Sequence, residues 1–421
     1  MIAQQTTKAV KSRKGWRFTL KPKAGAIAWP KLLVGSLMVA LVGGLLLFNL
    51  QNLLPASPIE SQTISNSRTL SAITDNPLLL PYKLLAFVLI KLPLGSDLLA
   101  VRLASVIISC MSVWLFFITA RRWYGTNSSL WASVLFASSG WLLQTGRFGA
   151  GFSLLILMVL SFVCFVSWLT TIPKRGSALV LFAVLLAVAL FVPGGLWFAL
   201  LTTSLAYRPL LAHRSAATAS QLAGAGVIVL AAFAILAYCL LSDSSLLSQW
   251  LGLPGQFPGI MTIAKQAVFS LLYLVVKGPM MPELWLAHTP LLDIASSVFL
   301  LLGVIFYAKH LGNSRTRLLA GFAILGAVLI ALNGPAGISY LVPTAYLVAA
   351  GGSAYFLHQW NKIFPRNPIA KIVSLSLMAV LLACIVSFHG HRYFVAWRHS
   401  PDTVQVYGSG ELDTDRAHLV Q

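Results

Sequence analysis

Long apolar runs alternate with short polar turns along most of this chain. A transmembrane helix needs about 20 mostly apolar residues. The pattern therefore predicts an all-α, polytopic transmembrane protein with about 11 spans. The predicted spans are residues 32–50, 98–120, 128–143, 152–171, 178–192, 196–207, 217–241, 291–308, 318–332, 340–357 and 369–388. The fifth and sixth are short and are expected to form a hairpin that barely clears the membrane.

Two apolar stretches are predicted to lie along the membrane surface. Residues 78–92 contain Pro81 and two lysines and are followed by Pro93, which makes a crossing unfavourable, and residues 267–276 are too short to cross. Residues 51–74 are rich in Ser, Thr, Asn and Pro and are predicted to form a loop outside the membrane.

Composition excludes a soluble globule. The chain of 421 residues is 58% hydrophobic and 10% charged, with a mean hydropathy of +0.83. So little polar surface cannot cover a water-soluble fold. The four cysteines lie inside apolar runs without close spacing, a pattern typical of small buried residues and not of a disulfide framework or a metal site.

The net charge of +20 would suggest nucleic acid as the partner of a soluble protein, but its distribution favours membrane lipids. A dense group of Lys and Arg precedes the first apolar run, and basic segments beside a span are held on the cytoplasmic face. We therefore predict a basic cytoplasmic segment (1–31), a transmembrane domain (32–388) with outer loops 51–97 and 242–290, and an outer tail (389–421). Nucleic acid is not an expected partner.

The charges also predict the orientation in the cell membrane. With the amino terminus inside, basic residues occupy every cytoplasmic turn, and all ten acids fall outside together with the carboxyl terminus. The basic residues in those turns are Arg121, Arg122, Lys174, Arg175, Arg208, Arg214, Lys309, Arg315, Arg317, Lys362, Arg366 and Lys371.

Four short motifs, in a fixed order, resemble polytopic glycosyltransferases of the GT-C class. The best match is the bacterial branch related to protein O-mannosyltransferases and lipid A aminoarabinose transferases. The motifs are NPLLLPY (76–82), DLLAVRLAS (97–105), ARRWYG (120–125) and ISYLVP (338–343), the last with Ser339 where Arg is usual. An arginine, Arg147, follows the third span as in that branch. The likeness is best over residues 75–172.

This resemblance implies transfer of a sugar from a polyprenyl-phosphate carrier to an acceptor on the outer face of the membrane. Such a reaction needs a carboxylate base and cationic groups beside the departing phosphate. The sequence differs from the family pattern in the first outer loop, where the family usually has an acidic pair and this chain has Glu60 alone. Glu60 and Asp75 are the candidate bases. Either could instead be an ordinary solvated loop acid, and Asp75 could cap the following helix.

Arg102 and Arg147 are the candidate phosphate-binding residues, with Tyr82 and Lys83 added to the substrate-binding set. Arg102 lies four residues inside a span, where an unpaired charge is costly, so pairing with Asp97 or snorkelling is the alternative. Arg147 could be an interfacial anchor. His389, His391 and Arg392 stand beside aromatic residues and are typical of an interface belt.

A divalent cation is the one cofactor that the sequence leaves open. Glu283 and His288 could share an ion, although two ligands are too few for a metal site, and no metal ligand is assigned. Two other classes of function remain open. One is a GT-C-like binding or assembly subunit without activity, which the missing acidic pair favours. The other is a transporter of lipid-linked cargo, which the absence of an internal repeat and of mid-span charges disfavours.

Overall fold

The computed structural model describes residues 29–51, 54–365 and 367–407, and within these ranges the regular structure is helical. The predicted basic segment up to residue 28 and the tail beyond residue 407 lie outside the described residues. The helices are α1 (Trp29–Leu47), α2 (Pro58–Ser65), α3 (Leu70–Asp75), α4 (Leu80–Ile90), α5 (Asp97–Tyr124), α6 (Thr126–Ala137), α7 (Gly140–Arg147), α8 (Phe152–Leu169), α9 (Ser177–Leu190), α10 (Gly195–Leu205), α11 (Tyr207–Arg214), α12 (Ala219–Ser242), α13 (Leu246–Leu251), α14 (Ile260–Val275), α15 (Ile294–Ala308), α16 (Ser314–Asn333), α17 (Ile338–Ile363) and α18 (Pro368–His391).

Six of the described helices are long and apolar enough to cross a membrane: α5, α8, α12, α16, α17 and α18. They coincide with six of the predicted spans. Several shorter apolar helices, among them α9, α10 and α15, coincide with further predicted spans. This set of helices is that of an all-helical, membrane-embedded protein.

Helices α5 and α17 form the centre of the molecule. Helix α5 packs against α1, α4, α6 and α8, and α17 packs against α6, α8, α15 and α16. In the apolar 18-residue stretch of each helix, 61% of α5 and 72% of α17 is buried within the protein. The corresponding shares are 17% for α12 and 28% for α18. Helices α12 and α18 therefore present most of their apolar surface outward, as a lipid-facing helix does.

The structure corrects one sequence prediction about the elements. Residues 128–143 are not one helix, because the chain breaks at Ser138 and Ser139, where the Ser139 hydroxyl accepts the Leu142 N–H and starts α7. Serine side chains compete for backbone hydrogen-bond partners in this way. The apolar run alone therefore predicted one span where the chain forms two helices. Residues 51–74, which are predicted to form an outer loop, contain α2 and most of α3.

Helix ends that the sequence assigns to the cytoplasmic side meet at one end of the molecule. The end of α5 and the start of α6 lie beside the end of α15, the start of α16, the end of α17 and the start of α18, around a single cavity. The sites predicted for the outer side gather at other helix ends, as described next. Which of these ends faces the cytoplasm stays a prediction.

Candidate functional site

Glu60 is held by the helix that it helps to start. Ser57 is the N-cap of α2, and its hydroxyl accepts the Glu60 N–H at 3.1 Å while the Glu60 carboxylate accepts the Ser57 N–H at 3.2 Å. This reciprocal capping box fixes the carboxylate in the first turn, where the helix dipole favours negative charge. Both residues are fully buried.

The buried carboxylate of Glu60 pairs with Arg102 of α5. The Arg102 Nε donates to Oε1 at 2.8 Å and Nη2 donates to Oε2 at 2.9 Å, so the contact is bidentate. The same Nη2 lies 3.0 Å from the Leu54 carbonyl oxygen. Arg102 is only 3% exposed. A planar guanidinium suits this geometry, and the pair fastens α2 to the central helix.

A fourth donor completes the surroundings of Glu60. The backbone N–H of Gly149 donates to Oε1 at 2.9 Å. The space there suits only glycine, because a Cβ on Gly149 would lie 2.6 Å from a methyl carbon of Val101 and 3.3 Å from Oε1. Each Glu60 oxygen thus accepts two hydrogen bonds, which uses the roughly four lone-pair positions of a carboxylate.

Arg147 lies nearby and binds the end of α1. Its Nη2 donates to the Phe48 carbonyl oxygen at 2.6 Å, and Nη1 lies 3.4 Å from that of Leu45. The guanidinium sits over the rings of Phe394 and Tyr393, at 4.9 and 5.2 Å from their centroids. A cation is favourable at a helix carboxyl end and over an aromatic face. These contacts give Arg147 the role of an anchor in this conformation, although its Nε has no hydrogen-bond partner.

Tyr82 is a buried contact between α4 and α5. Its hydroxyl donates to the Val101 carbonyl oxygen at 2.7 Å and lies 3.0 Å from the Ser105 hydroxyl. Ser105 in turn donates to the Phe148 carbonyl oxygen at 2.7 Å. This chain of hydrogen bonds joins α4, α5 and the segment that follows α7.

Asp75 and Lys83 lie apart from the Glu60–Arg102 pair. Asp75 is exposed at the end of α3, close to Cys239 of α12, and it does not cap α4, which begins after Leu79 without a side-chain cap. Lys83 is 5% exposed, and its Nζ donates to the Asn76 carbonyl oxygen at 2.6 Å. Burial lowers the pKa of Lys83 to about 8. The two candidate bases are therefore not neighbours.

The alternative pairing of Arg102 with Asp97 is not the one that the structure contains. Asp97 instead accepts a hydrogen bond from Arg68 at 2.7 Å in an exposed contact. Exposed pairs of this kind contribute about 0–1 kcal/mol to stability, whereas breaking a buried pair costs far more. The sequence separation of 42 positions between Arg102 and Glu60 explains why local spacing did not identify the true partner.

A second buried polar cluster joins Asp293, His389 and Arg392. The His389 Nε2 lies 3.1 Å from the Asp293 carboxylate, and its Nδ1 lies 3.2 Å from the Arg392 Nη2. Arginine can only donate, so Nδ1 accepts and the ring proton is on Nε2, donated to Asp293. His389 is fully buried, and both of its nitrogens are engaged. This neutral imidazole acts as a bridge between α15 and α18.

Arg392 anchors the segment that follows α18. It donates to the Pro290 carbonyl oxygen at 2.6 Å and lies 4.5 Å from the ring centroid of Trp285. A Cβ on Gly140 would lie 2.9 Å from Nη2 of Arg392, so the start of α7 packs tightly here. The belt predicted for His389 and Arg392 is thus a connected cluster. The sequence contains only a weak indication of this cluster, namely an acid and a histidine near the predicted outer ends of different spans.

One small cavity lies beside this cluster. A cavity of about 10 Å³ lies between Gln144, Trp285 and Arg392, room for about one water molecule. Among the described residues, which include Glu283 and His288, no group of three or more His, Cys, Asp or Glu side chains could hold a metal ion.

The helices and these buried polar contacts define the class of the protein as a polytopic, helical membrane protein. No protein-family model matches the chain, and no curated protein matches it. The structural contacts and the resemblance of the motifs are therefore the basis for a functional proposal.

Proposed function

We propose that the chain is a GT-C-like protein of the cell membrane that binds a polyprenyl-phosphate-linked sugar as a binding or assembly subunit and does not transfer the sugar. The ligand class comes from the resemblance of the motifs at residues 76–82, 97–105 and 120–125. The absence of transfer is argued from the surroundings of Glu60.

The observation that carries the proposal is the complete hydrogen bonding of Glu60. A general base must present a lone pair within hydrogen-bond reach of the proton that it removes. The Glu60 oxygens accept from Arg102, Ser57 and Gly149 and are shielded from solvent. Asp75 is exposed at the end of α3, and the Lys83 ammonium beside it donates to the carbonyl oxygen of the next residue, Asn76. This arrangement suits a structural carboxylate better than a base.

An active glycosyltransferase is the second candidate, and the Glu60–Arg102 pair itself gives it a physical basis. A donor phosphate would compete with Glu60 for the guanidinium of Arg102, since both are bidentate oxyanion ligands. If the Arg102 guanidinium paired with the phosphate in place of Glu60, the Glu60 carboxylate would be free to act as the base. In this mechanism donor binding would expose the base only when it is needed.

Binding and transfer by the purified full-length protein distinguish the two candidates. We expect polyprenyl-phosphate sugars to bind and no sugar to reach an acceptor, as measured by donor binding and by product mass spectrometry on the same samples. Sugar transfer that Glu60→Gln reduces by about 10² to 10⁴-fold, with donor binding unchanged, would establish the enzyme instead. Absence of donor binding would remove the binding role.

A further inference from the structure

A large cavity opens at the end of the molecule opposite the Glu60–Arg102 pair. It has a volume of about 1340 Å³ and lies among the ends of α5, α6, α15, α16, α17 and α18. We call it the basic cavity. Pockets for small molecules are usually about 300–1,000 Å³, so this one has room for a polar group together with part of an apolar chain.

The charge of the basic cavity has one sign. Four cations line it, and among the described residues around it none is Asp or Glu. The four are Lys309, Arg315, Lys362 and Lys371. Like charges repel one another, and among the described lining residues no carboxylate offsets the repulsion between Lys309, Arg315 and Lys371. A bound anion would offset it, which makes an anion the favoured occupant.

Helix dipoles add to the same field. The first residues of α6 and α16 line the basic cavity, so the amino ends of two helices, of 12 and 20 residues, border it. The positive end of the helix dipole favours phosphate, and α6 begins without a side-chain cap, whereas Asn313 caps the Arg315 N–H of α16. Arg315, in the first turn of α16, stands 5.8 Å from the ring centroid of Trp123, which orients its guanidinium.

The rest of the lining is aromatic and apolar. Trp131, Phe306 and Tyr355 line the basic cavity, and α18 contributes Leu375, which is 47% exposed. Neighbouring apolar residues of α18 are also exposed, such as Ile372 at 64%. A ligand with a phosphate and an adjoining hydrocarbon chain would satisfy both kinds of surface.

We infer that the basic cavity binds a phosphate-bearing amphiphile, with the phosphate among Lys309, Arg315, Lys362 and Lys371 and the hydrocarbon against Trp131, Phe306 and α18. This site is separate from the residues that the sequence motifs assign to the outer face. The inference does not depend on whether the protein transfers sugar. Under the predicted topology the site opens toward the cytoplasmic leaflet.

The test measures binding to the purified full-length protein in a neutral detergent. The probes are short-chain phosphatidic acid, diacylglycerol of the same chains and inorganic phosphate. We expect phosphatidic acid to bind and diacylglycerol to bind at least tenfold more weakly, because a charged hydrogen bond contributes about that much. Inorganic phosphate that displaces the lipid only at much higher concentration indicates a lipid ligand. Inorganic phosphate that binds as tightly as the lipid indicates a soluble phosphate and overturns the amphiphile.

Variants locate the binding. Lys371→Gln and Arg315→Gln should each weaken phosphatidic acid binding by about tenfold or more. Arg317→Gln is the matched control, because Arg317 is exposed, lies in the same turn of sequence and does not line the basic cavity. It should change the affinity by less than about twofold, as expected of a screened surface charge. Equal effects of Lys371→Gln and Arg317→Gln, or equal binding of the two lipids, would overturn the inference. Lys371 is exposed, so its substitution leaves the fold intact.

Discussion

A buried carboxylate and a buried guanidinium stabilise a protein only as a pair. The charges of Glu60 and Arg102 are both removed from water, and each would be costly alone. Their bidentate contact, with Ser57 and Gly149 as further donors, offsets that cost and fixes α2 against α5. At this scale Glu60, which the sequence analysis selected as a candidate base, is surrounded by four hydrogen-bond donors, as the proposed structural role requires.

Glu60→Gln should therefore lower the free energy of unfolding by about 3–5 kcal/mol, because it leaves Arg102 buried without its counter-ion. Denaturant or thermal unfolding of the detergent-solubilised protein measures the change. Asp97→Asn breaks the exposed contact with Arg68 and serves as the control, with an expected loss of about 1 kcal/mol or less. Equal losses of unfolding free energy for the two variants would show that the buried pair stabilises the protein no more than the exposed one.

Lys83 predicts a pH dependence of stability. Burial lowers its pKa to about 8, below the ordinary value of 10.5, so the unfolded chain binds more protons between these two pH values. Stability should therefore rise as pH increases from about 8 to about 10.5, by about 3 kcal/mol. Below pH 8 the ammonium is charged in both states and folding bears its full desolvation cost.

Lys83→Met should abolish that rise, and unfolding curves across this pH range measure it. Lys91→Met, at the exposed end of the same helix, is the matched control and should retain the rise. A rise of the same size in Lys83→Met would assign the pH dependence to other groups.

At the level of elements, the sequence predicted the long helices well and the breaks between short helices poorly. A run such as α8 is apolar throughout, and α5 has a capping serine before it and basic residues in its last turn. These are local signals, and length and composition suffice to recognise them. The break at Ser138 and Ser139 depends on side-chain hydrogen bonds within an apolar run, and a hydropathy pattern does not contain that information.

The polar contacts of the candidate sites could be predicted only in part. Glu60, Arg102 and Arg147 were selected by their motifs, and the structure gathers these three at neighbouring helix ends. The partners are set by packing between elements far apart in sequence. His389 and Asp293, for example, are 96 positions apart, and no spacing rule connects them.

Considered as a whole, the molecule separates its charges between two ends. The end with Glu60, Arg102, Asp293 and His389 is closely packed, and its two acids each contact a basic side chain. The other end has the open basic cavity. The positive-inside rule assigns that basic end to the cytoplasm.

Reporter fusions measure this orientation. Fusions after Arg122, Arg175 and Arg317 should report the cytoplasm, because these basic turns are retained there. Fusions after Ser65, Gly255 and Tyr407 should report the exterior. A cytoplasmic signal at Gly255 would mean that residues 267–276, most of which lie in α14, cross the membrane, and it would overturn the 11-span prediction.

The double replacement Glu60→Leu with Arg102→Met tests the central claim, that Glu60 is structural and not catalytic, most directly. Replacing a buried ion pair by apolar residues of similar size is often neutral for stability, whereas a catalytic carboxylate has no apolar substitute. The measurement compares cellular function of a deletion strain that carries each variant, with protein levels in the membrane as the reference. We predict that Glu60→Gln loses function together with protein level and that the double variant recovers both. Recovery of the protein level without recovery of function would contradict the account, because Glu60 or Arg102 would then have a role in function beyond packing.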